Sequence, residues 1–162
     1  MEDQSEQTQL RRAKLDELRE KGINPYISRF SVTAKSSDLI DKYGELSLEE
    51  FEKETTFHTI AGRILTRRGH GKTTFMHIQD SSGKIQLYIR KDDIGEDSYG
   101  TVKKLDIGDI IGVKGHLFKT RTGELTLHAD ELTLLSKSLR PLPEKWQSTI
   151  DFSLPWRRCL FC

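Results

Sequence analysis

Apolar positions recur at helical spacing before Phe57 and at every second residue from Phe57 to Leu135. In residues 7–21, Leu10, Ala13 or Lys14, Leu15 and Leu18 line one face and charges line the other. Gly22 then stands at a C′ position and Pro25 follows, which is a normal helix stop. Residues 23–36 read as an extended linker. A second helical patch covers Asp38–Tyr43 and Ser47–Glu54, where Ser47 and Glu50 make a capping box ahead of Phe51. From Phe57 the two-residue period predicts strands at 57–68, 73–80, 84–90, 109–119 and 124–135. A short helix is expected around Ser98–Lys104, between the third and fourth strands.

Five strands with a helix between the third and fourth is the order of the oligonucleotide-binding barrel, the OB-fold. The fold class expected is therefore mainly β, with N-terminal helices ahead of the barrel. The division that follows is a helical extension over 1–56, the barrel over 57–135, and a Pro-containing linker with a tail over 136–162.

Side chains alternate faces along a strand, so parity sorts them. Met76 and Ile78 go inward, as do Ile85, Leu87, Ile89, Leu125, Leu127 and Ala129. Phe75, His77, Gln79, Gln86, Tyr88, Arg90, Glu124, Thr126 and His128 go outward. The first strand stays open, because Ile64 and Leu65 are both apolar. An OB-fold binds oligonucleotides on the outer face of its second and third strands, between the 1–2 and 4–5 loops. Those loops here are Arg67-Arg68-Gly69-His70-Gly71-Lys72 and Lys119-Thr120-Arg121-Thr122-Gly123-Glu124. Both are cationic. Aromatic platforms flanked by cationic loops suit unpaired bases and their phosphates.

Phe75 and Tyr88 are expected to stack bases. Gln86 offers a donor and an acceptor to a base edge, Glu124 accepts from an amino or imino group, and Arg68 forks onto base or phosphate. Arg67, Lys72, His77, Lys119 and Arg121 are the supporting contacts. The plainer alternatives are that Phe75 packs under a neighbouring helix and that the basic tips are solvated turns. His77 and His128 read as surface or half-buried side chains, with no carboxylate partner placed beside them.

Composition narrows the class. The 162 residues carry a net charge of +1, so affinity for nucleic acid must come from local clusters and stacking. No apolar run approaches the roughly 20 residues that cross a bilayer, and the polar N-terminus has no secretory h-region. A cytoplasmic protein without membrane contact is expected. Cys159 and Cys162 form a lone C-x-x-C, and the five histidines are scattered singly. A structural zinc site takes about four ligands, so no metal site is predicted. Gly71-Lys72-Thr73 resembles the end of a P-loop, but Thr66 stands where its first glycine is needed and a strand follows instead of a helix.

Three stretches carry a family resemblance: LRRAKLDELREKGINPYISRF, IAGRILTRRGHGKTTFMHIQDSSGKIQLYIRKDD, and LDIGDIIGVKGHLFKTRTGELTLHADELTLLSKSLRPLPEKW. They are similar to the N-terminal part of class II lysyl-tRNA synthetases (lysine–tRNA ligases) of the bacterial type, over about residues 9–146. The aspartyl and asparaginyl relatives share the barrel but not the leading helix or the RPLPEKW exit. The resemblance implies a domain that binds the anticodon of lysine tRNA, whose core is uridine-rich. It implies anticodon readers at Arg68, Phe75, Gln86 and Glu124, with Phe75 as the stacking platform. It also implies a contribution to homodimer contacts. ATP and magnesium belong to the family's large catalytic domain, so no cofactor, catalytic residue or aminoacylation is expected of this chain. Residues 147–162 show none of the family's sequence. The competing classes are a general single-strand-binding OB protein and a dimerisation module.

Overall fold

The computed structural model describes residues 6–27, 29–45, 51 and 56–141. Helix α1 spans Glu6–Glu20 and buries Leu15 and Leu18, while Leu10 stays exposed. Its end is a Schellman motif: Gly22 (φ 73°) donates its N–H to the Arg19 carbonyl and Ile23 donates to that of Leu18. Ile23 then packs against the core cluster to which Leu18 belongs. The stop expected from Gly22 is therefore a built hydrogen-bonded turn.

The segment read as a linker lies on the barrel. Ile27 N–H donates to the Leu135 carbonyl at 3.0 Å and Thr33 N–H to that of Thr59 at 2.9 Å. The Phe30 ring covers Gly112 so closely that a Cβ there would meet it at 2.3 Å. Helix α2, Ser36–Tyr43, starts two residues before the expected Asp38. Asp80, in the turn between the second and third strands, accepts from the backbone N–H of Ser36 at 2.7 Å and thereby fixes that start. The same carboxylate accepts from Ser82 N–H, Ser82 Oγ and Gly83 N–H. Partial burial pushes the Asp80 carboxyl up, but these four donors outweigh it and bring it to about 2. The Ser47–Glu50 capping box lies outside the described residues, as does the C-x-x-C. Phe51 is described, and it packs on Tyr43 with ring centroids 6.1 Å apart.

The strands are β1 (Phe57–His70), β2 (Thr73–Gln79), β3 (Lys84–Arg90), β4 (Ile110–Lys119) and β5 (Leu125–Ser136). They close in the order β1-β2-β3-β5-β4, every neighbouring pair antiparallel except β3 with β5. Closure leaves no free sheet edge. Met76, Ile78, Ile85, Leu87, Ile89, Leu125, Leu127 and Ala129 fill the interior, each nine-tenths or more buried. The doubtful register of β1 resolves as a bulge. Ile64 pairs with Ile78 and Thr66 with His77, so Leu65 is the extra residue.

Between β3 and β4 two helices run where one was expected: α3 (Lys91–Ile94) and α4 (Glu96–Lys104). Gly95 at φ 84° separates them. Ile94, Tyr99 and Val102 plug the barrel end, and the Tyr99 hydroxyl lies 3.1 Å from Thr74 Oγ1.

At the exit of β5 lies a buried ionic cluster in the segment read as a linker. Lys137 Nζ, its side chain 0% exposed, donates to Asp106 Oδ2 and Asp109 Oδ2, both at 2.7 Å. Asp109 also accepts the N–H groups of Asp106 and Ser138, and Lys14 of α1 pairs with Asp106 at 2.5 Å. Burial pushes the Asp106 carboxyl up, but the Lys137 and Lys14 ammonium groups outweigh it and hold it below its usual range. With Arg11 donating to the Ser138 carbonyl and Lys104 paired with Glu17, this cluster anchors α1 to the barrel. Among the described residues no helix is long and apolar enough to cross a membrane.

Candidate nucleic-acid interface

Strand pairing arranges the outward side chains in two parallel rows around the barrel. In the first, Arg68 of β1 stands opposite Phe75, Phe75 opposite Tyr88, Tyr88 opposite His128, and His128 opposite His116. The rings follow one another at centroid spacings of 5.0 Å (Phe75–Tyr88), 5.3 Å (Tyr88–His128) and 4.7 Å (His128–His116). Phe118 leans on Tyr88 from the side at 5.7 Å. These residues, with Thr120 and Arg121, line an open cleft of about 390 Å³. Phe75 is half-buried in that cleft wall and keeps a face toward it. An aromatic surface of this kind supplies flat, sequence-tolerant stacking for bases.

The second row is polar and hydrogen-bonded end to end. Thr66 Oγ1 lies 2.9 Å from His77 Nδ1, and His77 Nε2 lies 3.1 Å from Glu124 Oε1. Gln86 donates from Nε2 to Glu124 Oε2 at 2.9 Å, and its Oε1 accepts from Thr126 Oγ1 at 2.8 Å. The carboxylate only accepts, which decides two orientations at once. The Gln86 amide must turn its NH₂ to Glu124, and neutral His77 must carry its proton on Nε2 and accept from Thr66. Gln86 then keeps one N–H and one lone pair for a further partner. The requirement of a base edge, one donor beside one acceptor, is met there.

Two expectations change here. Thr126 has outward parity yet is fully buried, because Gln86 and the Glu124 backbone close over its hydroxyl. His77 and His128 do have carboxylate partners: Glu124 for the first, and Asp93 for the second, with His128 Nε2 3.0 Å from Asp93 Oδ2. Both partners arrive from loops or helices distant in sequence, so spacing along a strand carried no sign of them.

The cationic residues separate into two kinds. Arg68, expected in the loop, is exposed on β1 ahead of the Gly71-Lys72 turn, Arg121 is exposed at the tip between β4 and β5, and Lys72 reaches Asp92 at 3.8 Å with 72% of its side chain exposed. Arg67, by contrast, donates from Nη1 to the carbonyls of Lys103 and Leu105 and so caps the end of α4. Lys119 lies over the Phe51 ring at 5.9 Å, on the other side of its strand from Phe118. The tip that carries Arg121 is closed by Gly123 (φ 84°) donating to Thr120, while Thr120 N–H donates to the Glu124 carbonyl. This turn sets Glu124 at the end of the polar row.

Sequence reasoning missed His116 and Phe118. The signal was present: both flank the inward Leu117, so alternation along the fourth strand turns them outward.

A five-stranded closed barrel with this topology is an OB-fold, and residues 58–135 match the family model of the tRNA anticodon type of OB-fold nucleic acid binding domain. Over nearly its whole length the chain is similar to lysine–tRNA ligases. It is 50% identical to that of Oceanobacillus iheyensis over 157 residues, which is 97% of this chain and 32% of that protein. It is 46% identical to those of Bacillus cytotoxicus and Bacillus anthracis, with the same coverage. The chain thus spans about a third of the length of the curated relatives it matches. At most five residues of the chain fall outside the matched span.

Proposed function

We propose that the outer face of this barrel binds the anticodon loop of lysine tRNA, in the setting of lysine–tRNA ligation. The observation that carries the reading is the juxtaposition of the two rows. A stacking row and a hydrogen-bonding row run side by side, with exposed cations at both ends. The rings hold unpaired bases, while Gln86 and Glu124 meet the imino N–H and carbonyl oxygens that a uracil edge offers. Arg68, Lys72 and Arg121 neutralise the phosphates. Arg67 and Lys119 serve the reading indirectly, by holding the barrel that presents the tips. No cofactor and no covalent step are assigned to the described residues, and a cytoplasmic location goes with the reading. Self-association belongs to it as well: Leu10 and Val32 are exposed apolar side chains of the N-terminal part, and sedimentation with and without RNA reports it.

The test is selectivity. Stem-loops bearing UUU and GUC anticodons are titrated against the wild type and against Gln86→Ala and Glu124→Ala. The wild type favours UUU, and each variant narrows the gap by roughly 1–3 kcal/mol, the worth of a base-edge contact. A chain that binds both loops equally would be a general single-strand binder, and the reading would fail. A preserved preference in both variants would move the readout to other residues.

A further inference from the structure

We infer that His116, His128 and Asp130 form a binding site for a zinc-class divalent transition metal at the end of the aromatic row. His116 and His128 are cross-strand partners on β4 and β5, which brings residues twelve apart in sequence face to face. One nitrogen of each ring and one Asp130 oxygen all lie within 4.8 Å of one another. His116 Nδ1 is 3.2 Å from Asp130 Oδ2, and His128 Nδ1 is 3.8 Å from Asp130 Oδ1. Ligands held about 2.0–2.1 Å from a tetrahedral zinc stand about 3.3–3.4 Å apart, so small side-chain rotations close the set.

Three independent features point to the same centre. The first is a β-bulge. Pairing steps from Gly115 opposite Ala129 to Lys114 opposite Glu131, which leaves Asp130 as the inserted residue. Such an insertion re-aims a side chain, here toward the two rings. The site at Gly115 admits no side chain, since a Cβ would meet the His128 carbonyl oxygen at 1.8 Å. The second is an orphan: Nδ1 of His128 is buried and has no hydrogen-bond partner. The third is Asp93, whose carboxylate lies 3.0 Å from His128 Nε2. That contact keeps the proton on Nε2 and leaves the Nδ1 lone pair facing the cluster. A carboxylate behind a ligating imidazole is the usual orienting partner in zinc sites. His116 joins by moving its proton to Nε2, which frees Nδ1 for the metal. Two imidazoles and one carboxylate suit zinc, cobalt or nickel and leave a fourth position for water.

The site is read with Co²⁺, whose tetrahedral complexes absorb visibly, followed by displacement with Zn²⁺. The full chain carries Cys159→Ser and Cys162→Ser so that thiols do not compete. One equivalent of Co²⁺ is expected, with Zn²⁺ displacing it. His128→Gln and His116→Gln lower the affinity at least about 100-fold while far-UV circular dichroism stays that of the parent. Asp93→Asn, which removes only the orienting carboxylate, weakens it about 10–100-fold. Absence of saturable binding, or binding that both folded histidine variants leave unchanged, overturns the site. The Asp93→Asn step separates a built centre from incidental capture by surface imidazoles, because incidental capture would not respond to it.

Discussion

Asp109 and Glu124 each gather donors from several elements, but Asp109 has a fully buried side chain whereas 46% of that of Glu124 is exposed. Asp109 binds Lys137 and two backbone N–H groups inside a region sealed by α1. Glu124 binds His77 and Gln86 on the open face. Similar chemistry thus serves two ends. In the sealed cluster, water cannot replace a lost partner, so the bonds hold the fold. On the open face water and RNA can compete for each donor, so the same kind of bond can be exchanged for a ligand.

Removing Lys137 breaks the comparison most sharply. Lys137→Ala leaves Asp106 and Asp109 buried without their shared cation, and stability falls by about 3–5 kcal/mol. Thermal unfolding should move down by more than about 10 °C. A small shift would show that water reaches the cluster. Phe75→Ala should do the reverse: RNA affinity drops by roughly 1–3 kcal/mol while the melting temperature holds. Loss of the fold in that variant would make Phe75 a structural residue and end its role as a platform. The adjacent arginines give the finest contrast. Arg67→Ala uncaps α4 and costs about 1 kcal/mol of stability, with little change in the salt dependence of binding. Arg68→Ala spares stability and lowers the slope of log affinity against log salt by about 1. Equal slopes for the two variants would erase the distinction between the capping and the exposed arginine.

The contrast also explains what the sequence discloses. Outward parity found Phe75, His77, Gln86 and Tyr88 because alternation along β2 and β3 is unbroken. It stalled at Leu65 and gave nothing at Asp130, where bulges insert a residue and shift the phase. Lys137 reads as a solvated linker residue, since a charged side chain looks exposed until its partners Asp106 and Asp109 are brought from the loop before β4. Arg67 and Arg68 are identical in sequence. Only the end of α4, more than thirty residues away, tells them apart. The polar row was half legible: His77, Gln86, Glu124 and Thr126 were named one by one, but Thr66 was not, and the bonds among them depend on a tip turn and four strands meeting.

The carboxylate of Glu124 has one more effect, which concerns rotamer freedom. A glutamine side chain in water samples many rotamers, and fixing it costs up to about 1.5–2 kcal/mol. Gln86 is already restrained between Glu124 and Thr126 before any ligand arrives, and His77 between Thr66 and Glu124. The ordering cost of these two side chains is therefore met during folding, and it would be absent from the proposed binding of RNA at this face. Under the proposed reading, a base that fits would find them in position, and one that does not fit would have to disturb bonds already made.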